Sequence, residues 1–157
     1  MRLIYVETSV IGFMTARSAG DELFRKRQEL TRRFWESIRQ SATLYVSQFV
    51  LDEIKSGDPV AAAERMECVR GLPLMARSHD SDRLAELLVG RHLLPPKALV
   101  DAHHVAIATV AGADLLLTWN CTHIANSDKL PHIVATLRSQ GFEPPWIATP
   151  EELTYVP

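Results

Sequence analysis

The sequence predicts an α/β fold, a single domain in which one parallel β-sheet is flanked by helices as a three-layer sandwich. Three observations carry this. Short apolar, β-rich runs alternate with helical stretches along the whole chain, the pattern of strand–helix–strand units. The first run, Arg2-Leu3-Ile4-Tyr5-Val6, reads as a buried central strand. The stretch from about Lys97 to Ala111 is apolar nearly all round, as befits a helix buried on most sides. At 157 residues the chain suits one domain with a real core, here 1–150, followed by a C-terminal tail, 151–157.

The first strand ends abruptly in Glu7-Thr8-Ser9. Thr8 or Ser9 is a good N-cap for a short helix through Val10-Ile11-Gly12-Phe13-Met14. Thr15 to Asp21 is a polar loop. Residues 21–40 form a long amphipathic helix with Leu23, Phe24, Leu30, Phe34, Trp35 and Ile38 inward. Its other face carries Arg25, Lys26, Arg27, Arg32, Arg33 and Arg39 among Glu22, Glu29 and Glu36. That face is either solvated or a surface for phosphate or an acidic partner.

Thr43 to Ser47 is the second strand, and the chain turns from it into a short helix that carries Asp52 and Glu53. Asp58 caps the next helix and Pro59 opens it; Ala62, Ala63, Met66 and Val69 face inward. Gly71 to Met75 is a short third strand, placed at a sheet edge by Pro73. Ser78 to Val89 is a helix with Leu84, Leu87 and Leu88 inward and Gly90 as its stop. After the apolar helix, which Gly112 ends, Asp114 to Thr118 is the fourth strand. Trp119 to Ile124 turns away from it, a helix runs from about Ser127 to Gln140, and Trp146-Ile147-Ala148 is a last strand.

The bulk numbers exclude more than they assign. A net charge of −2 gives no global attraction to nucleic acid or to an anionic membrane. Cys68 and Cys121 fit no metal-ligand spacing and read as idle thiols of a reducing compartment. No apolar run approaches the roughly 18 residues a membrane span needs, and the N-terminus is too short and too acidic for a signal peptide. The expected location is cytoplasmic, without a membrane partner.

Chemistry in an open parallel sheet is expected just outside the carboxyl ends of the strands. Glu7, Glu53, Asp101 and Asn120 all fall where they could meet there. Asp101 is the most telling. It lies in the most apolar helix, where an isolated carboxylate is costly unless paired, hydrogen-bonded or bound to a metal. A loop cap or an arginine partner would also satisfy it. Glu7 either serves the sheet's active edge or caps the turn after it, and Glu53 taken alone is an ordinary surface glutamate. Hard oxygen donors of this kind suit Mg²⁺ or Mn²⁺, not zinc. His103 and His104 are adjacent and diverge on a helix; His123 and His132 have no ligand spacing; His104 reads as a core or supporting residue. No phosphate-cradling glycine loop or nucleophile elbow is present.

In their order along the chain these residues resemble the PIN-domain nucleases. The matching blocks are Val6-Glu7-Thr8-Ser9-Val10-Ile11; Ser47 with Glu53 six residues on; Asp101-Ala102-His103-His104-Val105-Ala106-Ile107-Ala108; and Leu116-Leu117-Thr118-Trp119-Asn120. The resemblance spans Leu3 to about Ile147. It implies a Mg²⁺- or Mn²⁺-dependent ribonuclease, often homodimeric. In compact bacterial members it implies the toxin of a toxin–antitoxin pair, held inactive by a small antitoxin protein. Glu7, Glu53 and Asp101 would hold the metal and Asn120 a ligand or water, with Thr8, Ser9, Thr118 and His104 in support. Glu7 stands where the family usually has Asp, and Asn120 where a fourth acid is usual, as in a subgroup with Glu first and Asn last. The rival reading is a PIN scaffold that no longer cleaves and binds RNA or a protein. A phosphoacceptor domain would want an acid pair after the first strand and a lysine near the last, and the chain has neither.

Overall fold

The computed structural model describes residues 1–17 and 20–153. Part of the expected polar loop after Thr15 and most of the expected tail therefore lie outside the described residues. Four parallel strands form one sheet in the order β2-β1-β3-β4. They are β1 (Arg2–Val6), β2 (Ala42–Tyr45), β3 (Leu115–Leu117) and β4 (Trp146–Ala148). Ile4, Tyr5 and Val6 are buried in succession, as are Leu115, Leu116 and Leu117. A side-chain period of two sends successive residues to opposite faces, so both faces of the central pair are covered, as parallel sheets require.

The helices are α1 (Thr8–Thr15), α2 (Glu22–Ile38), α3 (Gln48–Ile54), α4 (Pro59–Cys68), α5 (His79–Gly90), α6 (Leu99–Val110), α7 (Leu130–Ser139) and α8 (Pro150–Leu153). After β1 the chain passes through α1 and α2 to β2 on one side. It then returns through α3 to α6 to β3 on the other. This reversal of direction is where open α/β sheets bind ligands. Because every strand is parallel, Glu7, Ser47 and Thr118 emerge at the same edge of the sheet.

Several local expectations are corrected. Residues 71–75 form no strand: Leu74 makes one isolated parallel bridge to Val46, and the proline leaves no ladder to extend. Gly90 is the last residue of α5 and not its stop; the left-handed residue there is His92, at φ 60°. Gly112 does end α6, at φ 75°, a conformation that suits glycine. The apolar helix starts at Leu99, after a 3₁₀ turn over Pro96–Ala98, and its first residues Leu99 and Val100 are exposed. Leu23 and Ala63 are also exposed. On α2, Gln28 and Thr31 are the buried polar residues instead, bonding Phe13 O, Ala16 O and the Trp119 indole. A last helical turn, α8, packs on α2.

Candidate active site

Glu7 is the N-cap of α1, a position expected for Thr8 or Ser9. Its buried carboxylate accepts three hydrogen bonds: Ser9 N at 2.9 Å, Ser9 Oγ at 2.6 Å and Thr118 Oγ1 at 2.6 Å. The two hydroxyls accept in turn, Ser9 Oγ from Trp119 N at 2.8 Å and Thr118 Oγ1 from Asn120 N at 2.9 Å. These bonds tie the end of β1 to the turn after β3. A carboxylate so deep needs such partners, since an unpaired one would pay its full desolvation cost.

Glu53 sits on α3, half-buried, because β2 delivers the start of that helix to the same edge. Its Oε1 accepts from Thr8 Oγ1 at 2.7 Å and pairs with His104 Nε2 at 2.6 Å. Burial pushes its pKa up, but the hydrogen bonds from His104 and from the Thr8 hydroxyl outweigh this, so the carboxyl lies below its ordinary value. Asp52 is exposed and bonds Gln48, pointing elsewhere.

Asp101 opens the first full turn of α6, and its Oδ2 pairs with His123 Nδ1 at 3.0 Å. Asn120 Oδ1 accepts His123 N at 3.0 Å, closing the turn that aims this imidazole at Asp101. Asp101 and His104 lie three apart on α6 and so share a face.

The expected residues thus fall into three joined groups. Glu7, Ser9, Thr118 and Asn120 form one; Thr8, Glu53 and His104 form a second; Asp101, His123 and Asn120 form a third. Asn120 belongs to two of them, and Glu7, Thr8 and Ser9 are consecutive. His123 was not expected in the site. Its signal is the asparagine three residues earlier, a turn-forming pair whose geometry carries the ring. Arg27, assigned to the outer face of α2, instead turns inward over the Trp119 ring, 5.0 Å from its centroid. Lys26, Arg32, Arg33 and Arg39 of that face have partners within the chain.

The carboxylate oxygens gathered here are donors of the kind a hard divalent cation takes. Among the described residues no three His, Cys, Asp or Glu side chains converge to hold one ion. Glu7 has three donors from within the chain. Glu53 Oε2 and Asp101 Oδ1 have no partner among the described residues. Mg²⁺ commonly binds through one or two carboxylates and keeps several waters, so this pair suffices in kind. Among the described residues no helix is long and apolar enough to cross a membrane.

No protein-family model matches the sequence, and no curated protein sequence matches it. Solved structures do. The chain is similar to VapBC2 from Rickettsia felis, solved bound to a DNA fragment from their promoter, with a TM-score of 0.60 and 15% identity over 94% of this chain and 98% of that one. It is also similar to VapC20 from Mycobacterium tuberculosis, a toxin that cleaves the sarcin–ricin loop. There the TM-score is 0.58, with 21% identity over 79% of this chain and 95% of the other. The parallel sheet, its strand-end acids and these neighbours lead to one conclusion about architecture: the chain has the PIN-domain fold.

Proposed function

We propose that this protein is a divalent-metal-dependent endoribonuclease and the toxin of a toxin–antitoxin pair. The observation that carries the reading is the pair Glu53 and Asp101. Each has one carboxylate oxygen held by a histidine and the other without a partner among the described residues, at the edge where the strands end. The likeness in fold to a toxin that cleaves the sarcin–ricin loop supports the substrate class, and the likeness to VapBC2 supports a protein partner. Cytoplasmic action and a homodimer are part of the same proposal.

In this reading Glu53 and Asp101 hold Mg²⁺ or Mn²⁺, and Glu7 joins them only by exchanging an internal hydrogen bond. A divalent ion supplies positive charge against the phosphate and polarises water. The chain's own residues do the rest. Thr8 and His104 keep Glu53 ionised and fixed in direction. His123 fixes Asp101, and the Asn120 amide fixes His123. Glu7, Ser9 and Thr118 lock the two strand ends together, so these acids are held in place before RNA arrives.

The test is cleavage of RNA by the purified, partner-free protein with Mn²⁺, with Mg²⁺ and with EDTA. Cleavage with either metal that EDTA abolishes is expected. A specific observation favours one alternative, a PIN scaffold that binds RNA or protein without cutting: the usual fourth acid is Asn120, whose oxygen is already bonded to His123 N. RNA retention without cleavage in any metal would select it.

A further inference from the structure

A line of buried polar groups runs from the start of α3 through the sheet to Glu53. Ser47 occupies the N-cap position of α3 yet makes no capping bond with its side chain. Its hydroxyl turns instead to the Tyr5 hydroxyl, 2.7 Å away. Tyr5 OH lies 2.6 Å from His104 Nδ1, and His104 Nε2 lies 2.6 Å from Glu53 Oε1. Ser47, Tyr5 and His104 are each fully buried, so no water competes for these bonds.

Proton counting gives the line a direction. A carboxylate only accepts, so the His104 nitrogen facing Glu53 must donate. In a neutral imidazole the other nitrogen then accepts, and the group facing it must donate: the Tyr5 hydroxyl. The Tyr5 oxygen is left to accept from Ser47. Burial is the main cause that raises the Tyr5 pKa well above the phenol range, so the hydroxyl keeps its proton. Both ring nitrogens and both hydroxyl protons then have a partner.

We infer that Tyr5 and Ser47 are positioning residues for Glu53. They hold His104 as the Nε2–H tautomer, which pins Glu53 Oε1 and leaves Oε2 open. Without the Tyr5 hydroxyl, Nδ1 loses the donor that faces it, and the carboxylate alone is left to hold the imidazole proton on Nε2. The Nδ1–H form would set a ring lone pair against the carboxylate, and Glu53, on a short helix and half-exposed, would swing away. The Thr8 hydroxyl on Oε1 gives a second fixed donor from α1, so three elements aim one carboxylate. This inference rests on the reading of Glu53 as a site acid.

The experiment has two parts. Imidazole ¹⁵N NMR on the whole chain assigns the His104 tautomer directly, without any assay of cleavage. A protonated Nε2 and a bare Nδ1 are expected in the parent, and a mixed or reversed pair in Tyr5→Phe. Single-turnover RNA cleavage then compares Tyr5→Phe in the parent and in a His104→Gln background, which keeps an amide near Glu53 but breaks the line to Tyr5. Tyr5→Phe should lower the saturating single-turnover rate about tenfold with half-saturation unchanged in the parent, the usual scale for an outer supporting group. It should cost less than about twofold in the His104→Gln background. Ser47→Ala, which leaves the Tyr5 ring packing intact, should move the same two nitrogen signals if Tyr5→Phe does not fold. An Nδ1–H or doubly protonated His104 in the parent would overturn the inference. So would an equal loss from Tyr5→Phe in both backgrounds, which would mark Tyr5 as packing alone. Failure of the parent to cleave RNA would overturn the nuclease reading and leave the tautomer result standing.

Discussion

Glu7 and Asn120 each have a structural duty that predicts their behaviour. Glu7→Gln keeps the shape of the side chain but turns an acceptor oxygen into an NH₂ that faces donors. Loss of a charged, three-donor acceptor should cost about 2 kcal/mol of stability, read by urea denaturation. Asn120→Asp keeps the oxygen that accepts His123 N and adds the missing charge. It should leave stability within about 0.5 kcal/mol and tighten Mn²⁺ binding about 3- to 10-fold by calorimetry. A fall in Mn²⁺ affinity would show that the amide itself is required. These duties were only partly legible in the sequence. An acid just before a helix invites the capping role that Glu7 takes. The His123 contact with Asp101 was not legible, because it joins residues 22 apart through a turn whose direction only the tertiary fold sets.

The α5–α6 pair gives a pH prediction. His103 is buried between these helices, stacked on Phe49 with ring centroids 4.5 Å apart. Its Nδ1 has no hydrogen-bond partner among the described residues, and Asp82 Oδ1 is 3.7 Å away. Burial first, then the charge of Arg77, lowers its pKa below the ordinary 6.5. The folded protein therefore resists a proton that the unfolded chain accepts near 6.5. Stability is full above that pH and falls as the pH drops through it toward the lowered folded value. Denaturation at about pH 7.5 and about pH 5.5 should show a smaller loss for His103→Phe than for the parent. Equal losses would remove His103 as the cause. At this scale the sequence located the start of α4, where Asp58 caps and Pro59 follows, but not that of α1, which Glu7 caps in place of Thr8 or Ser9. It served poorly for α2, where Gln28 and Thr31 are buried while Leu23 is exposed. Helical spacing finds an apolar stripe but not the polar groups that a neighbouring loop and indole recruit.

Across the whole molecule, β1 and β3 are the shared spine on which the other strands and the site depend. Leu116 is fully buried at the centre of β3, opposite Tyr5. Leu116→Ala should cost about 2–5 kcal/mol, the range for a core leucine, and loosen the turn that carries Asn120. The parallel architecture could be read from the strand–helix alternation, because covered faces demand unbroken apolar runs. That Glu7 and Thr118 meet at one edge could be read because parallel strands put all their carboxyl ends there. The division of labour among the acids could not: Glu7 spends its carboxylate on the fold, while Glu53 and Asp101 each keep an oxygen open.

That division is tested most directly by single-turnover RNA cleavage in Mn²⁺ for the parent, Glu53→Gln and Asp101→Asn, each checked for folding. Both variants should lose at least about 100-fold in rate, as removal of a group that serves the reacting phosphate does. Cleavage by Asp101→Asn and Glu53→Gln at the parent's rate would contradict the assignment of these two carboxylates to the active site.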